Sequence, residues 1–177
     1  MSNIVYIATS IDGFIAREDG SVEWLMEVPN PTDDDYGFSD FLARIDAIIM
    51  GRNTFQTAVG FGEWPYTKPV FVLSTTLQRV PDHLSTRAEI ISGEVPAVID
   101  ALTSRGFRDF YVDGGRTIRG FLQRDMIDEM IITTIPVVLG SGIPLFGGTG
   151  KELKFTHRET IVYDNALVKS RYVRRRV

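Results

Sequence analysis

Through the first two thirds of the chain, short apolar runs rich in β-branched residues alternate with stretches whose apolar positions recur at helical spacing. Residues 4–9, 47–50, 70–73, 89–91, 110–112 and 129–135 read as strands. Between them Phe38, Phe41, Leu42 and Ile45 fall at i, i+3, i+4 and i+7, as do Val95, Val98, Ile99 and Leu102, so each set marks the apolar face of an amphipathic helix. Ser92 is placed to cap the second of these helices and Gly106 to end it, while Ile118, Phe121 and Leu122 mark a third after Gly115. After position 150 the period changes to two. Leu153, Phe155, Ile161 and Tyr163 share one parity, Asp164-Asn165 supplies a tight turn, and residues 166–173 run back. The order predicts a three-layer α/β/α fold, with a mostly parallel mixed sheet of about eight strands closed at its edge by a C-terminal antiparallel hairpin. No repeat or linker interrupts the pattern, and residues 1–177 are expected to form one domain.

Composition narrows the chemistry. With Cys 0 there is no disulfide, thiolate nucleophile or cysteine-ligated metal, and the two histidines, His83 and His157, do not stand at ligand spacing. No metal site is expected. Lys+Arg 19 against Asp+Glu 23 leaves a net charge of −4, and the one basic cluster, 171–176, is short and terminal, so nucleic acid is not an expected partner. That cluster reads instead as an edge strand blunted by charge. No apolar run reaches the roughly 18 residues of a membrane span, and the opening MSNIVYIATSIDG has no basic leader segment. A cytoplasmic protein with no membrane partner is the expectation.

In open α/β sheets ligands bind beyond the carboxyl ends of the strands, which makes the residue after each strand informative. Here the strands run into Ser10-Ile11-Asp12-Gly13, Gly51-Arg52-Asn53-Thr54, Ser74-Thr75, Ser92-Gly93 and Asp113-Gly114-Gly115. Each turn by itself is ordinary helix-capping chemistry. Together they are small, polar or cationic, as a large phosphorylated ligand requires, since backbone N–H groups at helix starts must approach it closely. Standard fingerprints are absent. Leu145 stands where both a Walker A loop ending at Gly150-Lys151 and a Rossmann motif beginning at Gly140-Ser141-Gly142 need glycine, and there is no G-x-S-x-G elbow.

Five stretches in order carry a resemblance: Ile7-Ala8-Thr9-Ser10-Ile11-Asp12-Gly13-Phe14-Ile15-Ala16, Ile45-Asp46-Ala47-Ile48-Ile49-Met50-Gly51-Arg52-Asn53-Thr54-Phe55, Val112-Asp113-Gly114-Gly115, Ile127-Asp128-Glu129 and Pro136-Val137-Val138-Leu139-Gly140. The set resembles the dihydrofolate reductase superfamily, in the branch built on the C-terminal reductase domain of the bifunctional riboflavin-biosynthesis deaminase–reductase. The resemblance implies NADPH lying across the strand ends. Gly51, Arg52 and Thr54 would clamp its pyrophosphate, with Arg52 suited to pair phosphate bidentately, and Ser74 and Thr75 would flank the 2′-phosphate. Asn53, Ser92, Arg116 and Thr117 belong to the same cofactor-binding turns. Gly114 and Gly115 would be joined by a cis peptide bond, and the backbones of Ala8 and Ile15 would hold the nicotinamide carboxamide, with Asp12 and Gly13 in a mobile loop between them. The resemblance also implies a homodimer, through the C-terminal hairpin or the 136–146 region.

Reduction of an imine needs a proton donor as well as hydride. By resemblance to folate reductases that acid sits at the first helix, where Asp35, within Asp33-Asp34-Asp35, is the candidate. Three neighbouring aspartates are more often a solvated helix start. Trp24, Trp64 and Tyr66 are aromatic walls for a planar heterocycle or plain core. The riboflavin enzymes continue past the Gly-Thr turn with an Asp-x-Pro-x-Leu-x-x-Arg stretch for the substrate phosphate, whereas this chain reads Phe61-Gly62-Glu63-Trp64-Pro65-Tyr66. The expected function is NADPH-dependent reduction of a small heterocyclic substrate, a pterin, folate or riboflavin-precursor pyrimidine. The alternatives are a dinucleotide-binding module without catalysis and an unrelated binder of phosphorylated ligands.

Overall fold

The computed structural model describes residues 1–176, and position 177 lies outside the described residues. In chain order the elements are β1 (Ser2–Ser10), β2 (Phe14–Ala16), α1 (Phe38–Ala43), β3 (Ala47–Gly51), α2 (Arg52–Gly60), β4 (Val70–Leu73), β5 (Ala88–Ile91), α3 (Val95–Ser104), β6 (Asp109–Asp113), α4 (Gly115–Gln123), β7 (Glu129–Ile135), β8 (Ile143–Pro144), β9 (Phe155–Val162) and β10 (Val168–Arg174). The main sheet has eight strands in the order β5-β4-β3-β6-β1-β7-β10-β9. From β5 to β7 every pairing is parallel; β10 and β9 add antiparallel pairs at the edge.

Both faces of the parallel part are covered, which is why its strands are apolar at successive positions instead of alternating. Ile49, Phe71, Phe110 and Val112 point into one core with Val98, Ile99 and Leu102 of α3 and Ile118, Phe121 and Leu122 of α4. Ile48, Met50, Val70, Val72 and Tyr111 point into the other, with Phe41 and Leu42 of α1 and Phe55 of α2. The expected three-layer architecture is therefore present. Two short elements escape periodicity: β2 and β8 pair with each other to form a separate two-stranded sheet.

Some local expectations need correction. The residue that caps α3 is Glu94, not Ser92, because Pro96 inside the first turn fixes the helix start two residues later. Gly106 does end the helix, at φ 99°, and the Phe107 N–H then returns to the Leu102 carbonyl at 3.2 Å. In the hairpin, Arg171 pairs with Glu159 but Tyr172 with His157, so Arg158 is an extra residue. A bulge of one residue exchanges the faces of a strand. Phe155 therefore packs on the α3/α4 side, whereas Ile161 falls on the opposite face despite their shared parity.

The basic C-terminal run is a set of ties. Arg171 donates two bonds of 2.9 Å to Glu129, Arg174 holds Asp125 at 2.6 and 2.9 Å, and Arg176 holds Asp128 at 2.6 Å. Desolvation pushes the Glu129 carboxyl up, but the Arg171 bonds and the charges of Arg44 and Arg171 outweigh it and hold it below its ordinary value. These pairs fix the hairpin to the start of β7.

Phe121 is fully buried between α4 and the sheet. Phe121→Ala is expected to remove about 3–5 kcal/mol of stability, measured as a lower urea midpoint at unchanged slope.

Candidate active site

Six parallel strands direct their carboxyl ends to one rim. Following the sheet from β5 to β1, the rim carries Ser92, then Ser74 and Thr75, then Gly51, then Asp113 and Gly114, then Ser10. Four inter-strand steps of ~4.8 Å make this row roughly 19 Å long. The turns that the sequence scatters over a hundred positions thus form one continuous line, and the Ser74 N–H ties β4 to β5 through the Ile91 carbonyl at 3.0 Å.

At the middle of the row, β3 and β6 are neighbours, and each passes directly into a helix. The starts of α2 and α4 consequently touch. A Cβ at Gly51 would lie 3.0 Å from Thr117 Oγ1, and one at Gly114 would lie 2.2 Å from Thr54 Oγ1. Glycine is required at Gly114 on two grounds, because its φ of 87° is also costly for any other residue. No side chain of Gly51 or Gly114 can cap these helices, so two N-termini with their N–H dipoles face the rim together. The cis bond expected between Gly114 and Gly115 is not formed: the bond is trans, and the turn is made by Gly114 in its positive-φ conformation. That feature of the resemblance is absent.

Around the two helix starts, Arg52 is exposed and reaches Thr76 Oγ1 at 2.8 Å and Asn53 Oδ1 at 3.4 Å. Ser74 Oγ accepts from the Thr76 and Leu77 N–H groups at 3.2 and 3.0 Å, which holds the neighbouring loop in place. Thr75 and Arg116 are exposed, and Thr117 is buried between the helices. These residues, with Ser92 at the far end, form the cationic half of the rim.

The other half is formed by the segment after β1. Ile15 lies over Gly115, where a Cβ would come within 2.7 Å of Ile15 Cδ1. The loop between Ser10 and Ile15 is tied down. Asp12 accepts from Ser10 Oγ at 2.6 Å and from the Leu139 and Gly140 N–H groups at 3.1 and 2.8 Å, while Phe14 N–H donates to Ser10 Oγ at 3.0 Å. The Ser10 bond, with the two backbone donors, holds the Asp12 carboxyl below its ordinary value. Ala8 packs against the cluster of Trp24, Ile135 and Leu167; Trp24 is buried, and its indole Nε1 has no hydrogen-bond partner among the described residues. A buried donor left unpaired costs stability, and it is satisfied when a ligand acceptor or water arrives.

The two candidate acids differ in kind. Asp35 is exposed and accepts from the Gly37 and Ser39 N–H groups at 2.8 and 2.9 Å, so its carboxylate caps α1. Hydrogen bonding from Ser39 and Gly37 lowers its pKa, which keeps it ionised and unsuited to donate a proton near neutrality. The solvated-helix-start reading of the Asp33-Asp34-Asp35 run holds for its structure. Asp113 has the opposite environment. It stands on the rim at the end of β6 and keeps some exposed surface as a residue, but its carboxyl is desolvated. Burial pushes its pKa up to about 6, against the lowering effect of the Gly114 N–H at 2.7 Å and of the Tyr111 and Tyr66 hydroxyls. Sequence reasoning placed Asp113 on the rim without a catalytic role; the available signal was an acid directly before the paired glycines.

The family comparison agrees with this geometry. The chain belongs to the RibD C-terminal domain family, whose pattern matches residues 3–169. It is 37% identical over 174 residues to the uncharacterized protein YwjB of Bacillus subtilis, covering 97% of each chain. It is similar to a crystal structure of a Shewanella sp. PV-4 protein provisionally assigned to riboflavin biosynthesis, with TM-score 0.96, 44% identity, and coverage of 99% of this chain and 100% of that one. A structure of the Thermotoga maritima diaminohydroxyphosphoribosylaminopyrimidine deaminase/5-amino-6-(5-phosphoribosylamino)uracil reductase superposes with TM-score 0.76 at 14% identity, over 98% of this chain and 56% of that one. At that identity the likeness is one of fold. The protein thus has the fold of riboflavin-pathway pyrimidine reductases, and no helix among the described residues is long and apolar enough to cross a membrane.

Asp113 bears on stability through its charge. Its folded pKa lies above the unfolded value, so the folded state binds more protons between about pH 4 and 6 and loses stability as pH rises through that window. Asp113→Asn is expected to be more stable than the parent at pH 7 by about 2 kcal/mol, with a flatter dependence from pH 4 to 6. Thermal or urea unfolding across that range checks it.

Proposed function

We propose that this protein is an NADPH-dependent reductase of a small heterocyclic substrate, in the pterin, folate or riboflavin-precursor pyrimidine class. The observation that carries the reading is the pair of glycine-started helices, α2 and α4, whose uncapped N-termini meet at one rim beside Arg52. Two helix starts and a guanidinium bonded only to neutral partners among the described residues suit a pyrophosphate, because N–H dipoles and a planar cation recognise phosphate oxygens at little reorganisation cost. Gly51, Arg52, Asn53, Thr54, Gly114, Gly115, Arg116 and Thr117 would hold that group. Ser74, Thr75 and Ser92 continue the row toward the adenosine, and the row's length suits a dinucleotide better than a mononucleotide.

When bound, NADPH supplies a hydride from its nicotinamide C4. The chain's own residues do the rest. The Ala8 and Ile15 backbones flank the nicotinamide end of the rim. Asp113, half protonated near pH 6, delivers its proton to the nitrogen of an imine as the adjacent carbon is reduced, so reduction is expected to slow as pH rises above 6. In this reading Asp113 takes the role first expected of Asp35.

Titration with NADPH, followed by nicotinamide fluorescence, is expected to give saturable binding at tens of micromolar or tighter. Arg52→Glu should weaken it by at least about 2 kcal/mol, or roughly 30-fold, through lost charge-assisted bonds. Unchanged affinity in that variant would contradict the clamp. Binding without oxidation by dihydrofolate, pterins or the riboflavin pyrimidine intermediate would leave a dinucleotide-binding module. No binding would remove the reductase reading.

A further inference from the structure

Three side-chain donors converge on one backbone oxygen beside α1. The Tyr36 carbonyl accepts from the Lys169 ammonium at 2.5 Å, from the Tyr6 hydroxyl at 2.8 Å and from the Tyr163 hydroxyl at 3.3 Å. A carbonyl oxygen has two lone pairs, whereas an ammonium alone has three protons to give. Donors therefore exceed acceptors at this point, and the Lys169 ammonium has no other hydrogen-bond acceptor among the described residues. Its charge is unanswered as well, since no ion pair among the described residues includes it. The carboxylates of the neighbouring turn are engaged with backbone: Asp34 accepts from the Tyr36 N–H at 2.7 Å, and Asp35 from the Gly37 and Ser39 N–H groups. Arg44 and Arg171, two other cations on this side, are both tied to Glu129.

The ammonium is held in place on the face of the sheet that carries Asp113. It stands 5.4 Å from the centroid of the Tyr163 ring and 3.2 Å from where a Cβ of Gly37 would lie. In register, Lys169 pairs with Thr133 and Thr133 with Ala8, while Ile4 pairs with Tyr111. Paired residues, and residues two apart on one strand, share a face, so Lys169, Ala8, Tyr6 and Asp113 all lie on one side. That side is open above β1. Ile4 is buried, yet Tyr6 and Ala8, further along the same central strand, are only half-buried, as is Lys169. From β6 through β1 and β7 to β10 there are three strand steps, which puts the backbones of Asp113 and Lys169 about 14 Å apart. A heterocycle lying over β1 with a charged substituent at its far end fits that span.

We propose that Lys169 is the anchor for an anionic group of the substrate, a carboxylate or phosphate carried at the end remote from the reacting ring. The proposal rests on the reductase reading and names the substrate class within it: an anion, not a neutral heterocycle. A half-buried cation without a counter-ion costs free energy, which an incoming anion relieves. The two protons of Lys169 not given to the Tyr36 carbonyl supply the charge-assisted bonds. Tyr6 and Tyr163 keep the carbonyl satisfied while the ammonium turns toward the ligand.

The test is calorimetric binding of two matched pairs to the intact protein. One pair is dihydrofolate against dihydropterin, which lacks the carboxylates; the other is the phosphoribosylamino pyrimidine of riboflavin synthesis against its dephosphorylated form. In at least one pair the parent should bind the anionic member at least about tenfold tighter, the scale of one charge-assisted hydrogen bond, and the pair that shows it identifies the group as carboxylate or phosphate. Lys169→Gln, which keeps a donor for the Tyr36 carbonyl but removes the charge, should bring that ratio to within about twofold and leave the neutral member's affinity unchanged, and Lys169→Arg should retain most of the preference. Equal binding within both pairs, binding of neither pair, a preference that survives in Lys169→Gln, or a parallel loss of the neutral member in that variant overturns the assignment. The urea midpoint of Lys169→Gln should equal or exceed that of the parent, because the charge it removes has no partner; if that variant does not fold, Lys169→Met is read in its place. NADPH binding separates the two ideas: its absence in the parent defeats the reductase reading, whereas a preference independent of Lys169 defeats only the anchor.

Discussion

The arrangement depends on the adjacency of β3 and β6. These strands are some sixty residues apart in the chain, yet Ile48 pairs with Tyr111 and Met50 with Asp113. Because the pairing is parallel and each strand passes into its helix through glycine, α2 and α4 must begin side by side at the same height. The sterics are tight enough to be restrictive. Thr54 occupies the space that a side chain at Gly114 would need, and Thr117 limits Gly51. Two like-signed dipole ends are thereby forced together, an arrangement that an isolated chain has no reason to favour and that an anion relieves.

The same adjacency explains the contrast between the two acids. A carboxylate beside solvent and two N–H donors, as at Asp35, is stabilised as an anion. A carboxyl at the end of a central strand, desolvated and held by the Gly114 N–H, is pushed toward neutrality. Both outcomes follow from how many donors reach the oxygens and how much water is displaced. The second places a titrating group beside the uncapped helices, where the proposed function needs both a proton and an anion-binding rim.

Much of the fold was legible because hydrophobic period reports directly on which face is covered. The strand at Val70–Leu73 and the strand at Glu129–Ile135 have the bounds read from sequence, and the apolar quartet of α3 is buried as its spacing requires. Periodicity failed where geometry overrides it. One extra residue at Arg158 exchanges the faces of β9, and nothing in an alternating pattern announces a bulge. The two-stranded β2/β8 sheet is too short to have a period. At the site, the Gly-Arg-Asn-Thr and Gly-Gly turns were visible as small and cationic strand ends. The desolvation of the Asp113 carboxyl was not, since it is fixed only by tertiary burial.

The closed state of the β1 loop bears on how a ligand would be seated. Ile15 already lies against Gly115, and Asp12 anchors its loop to Leu139 and Gly140 through backbone donors, so access on that side of α4 is limited by a carboxylate held ionised. On the Arg52 side no such strap exists among the described residues: Arg52 and Asn53 are exposed, and within that set the guanidinium is engaged only by the hydroxyl of Thr76 and the neutral amide of Asn53. An exchange of neutral partners for phosphate oxygens costs little and gains a charge-assisted pair. Under the proposed function, the phosphate end of a dinucleotide would enter most readily from the α2 side, and the nicotinamide end would be the part that must fit beneath a segment already in place.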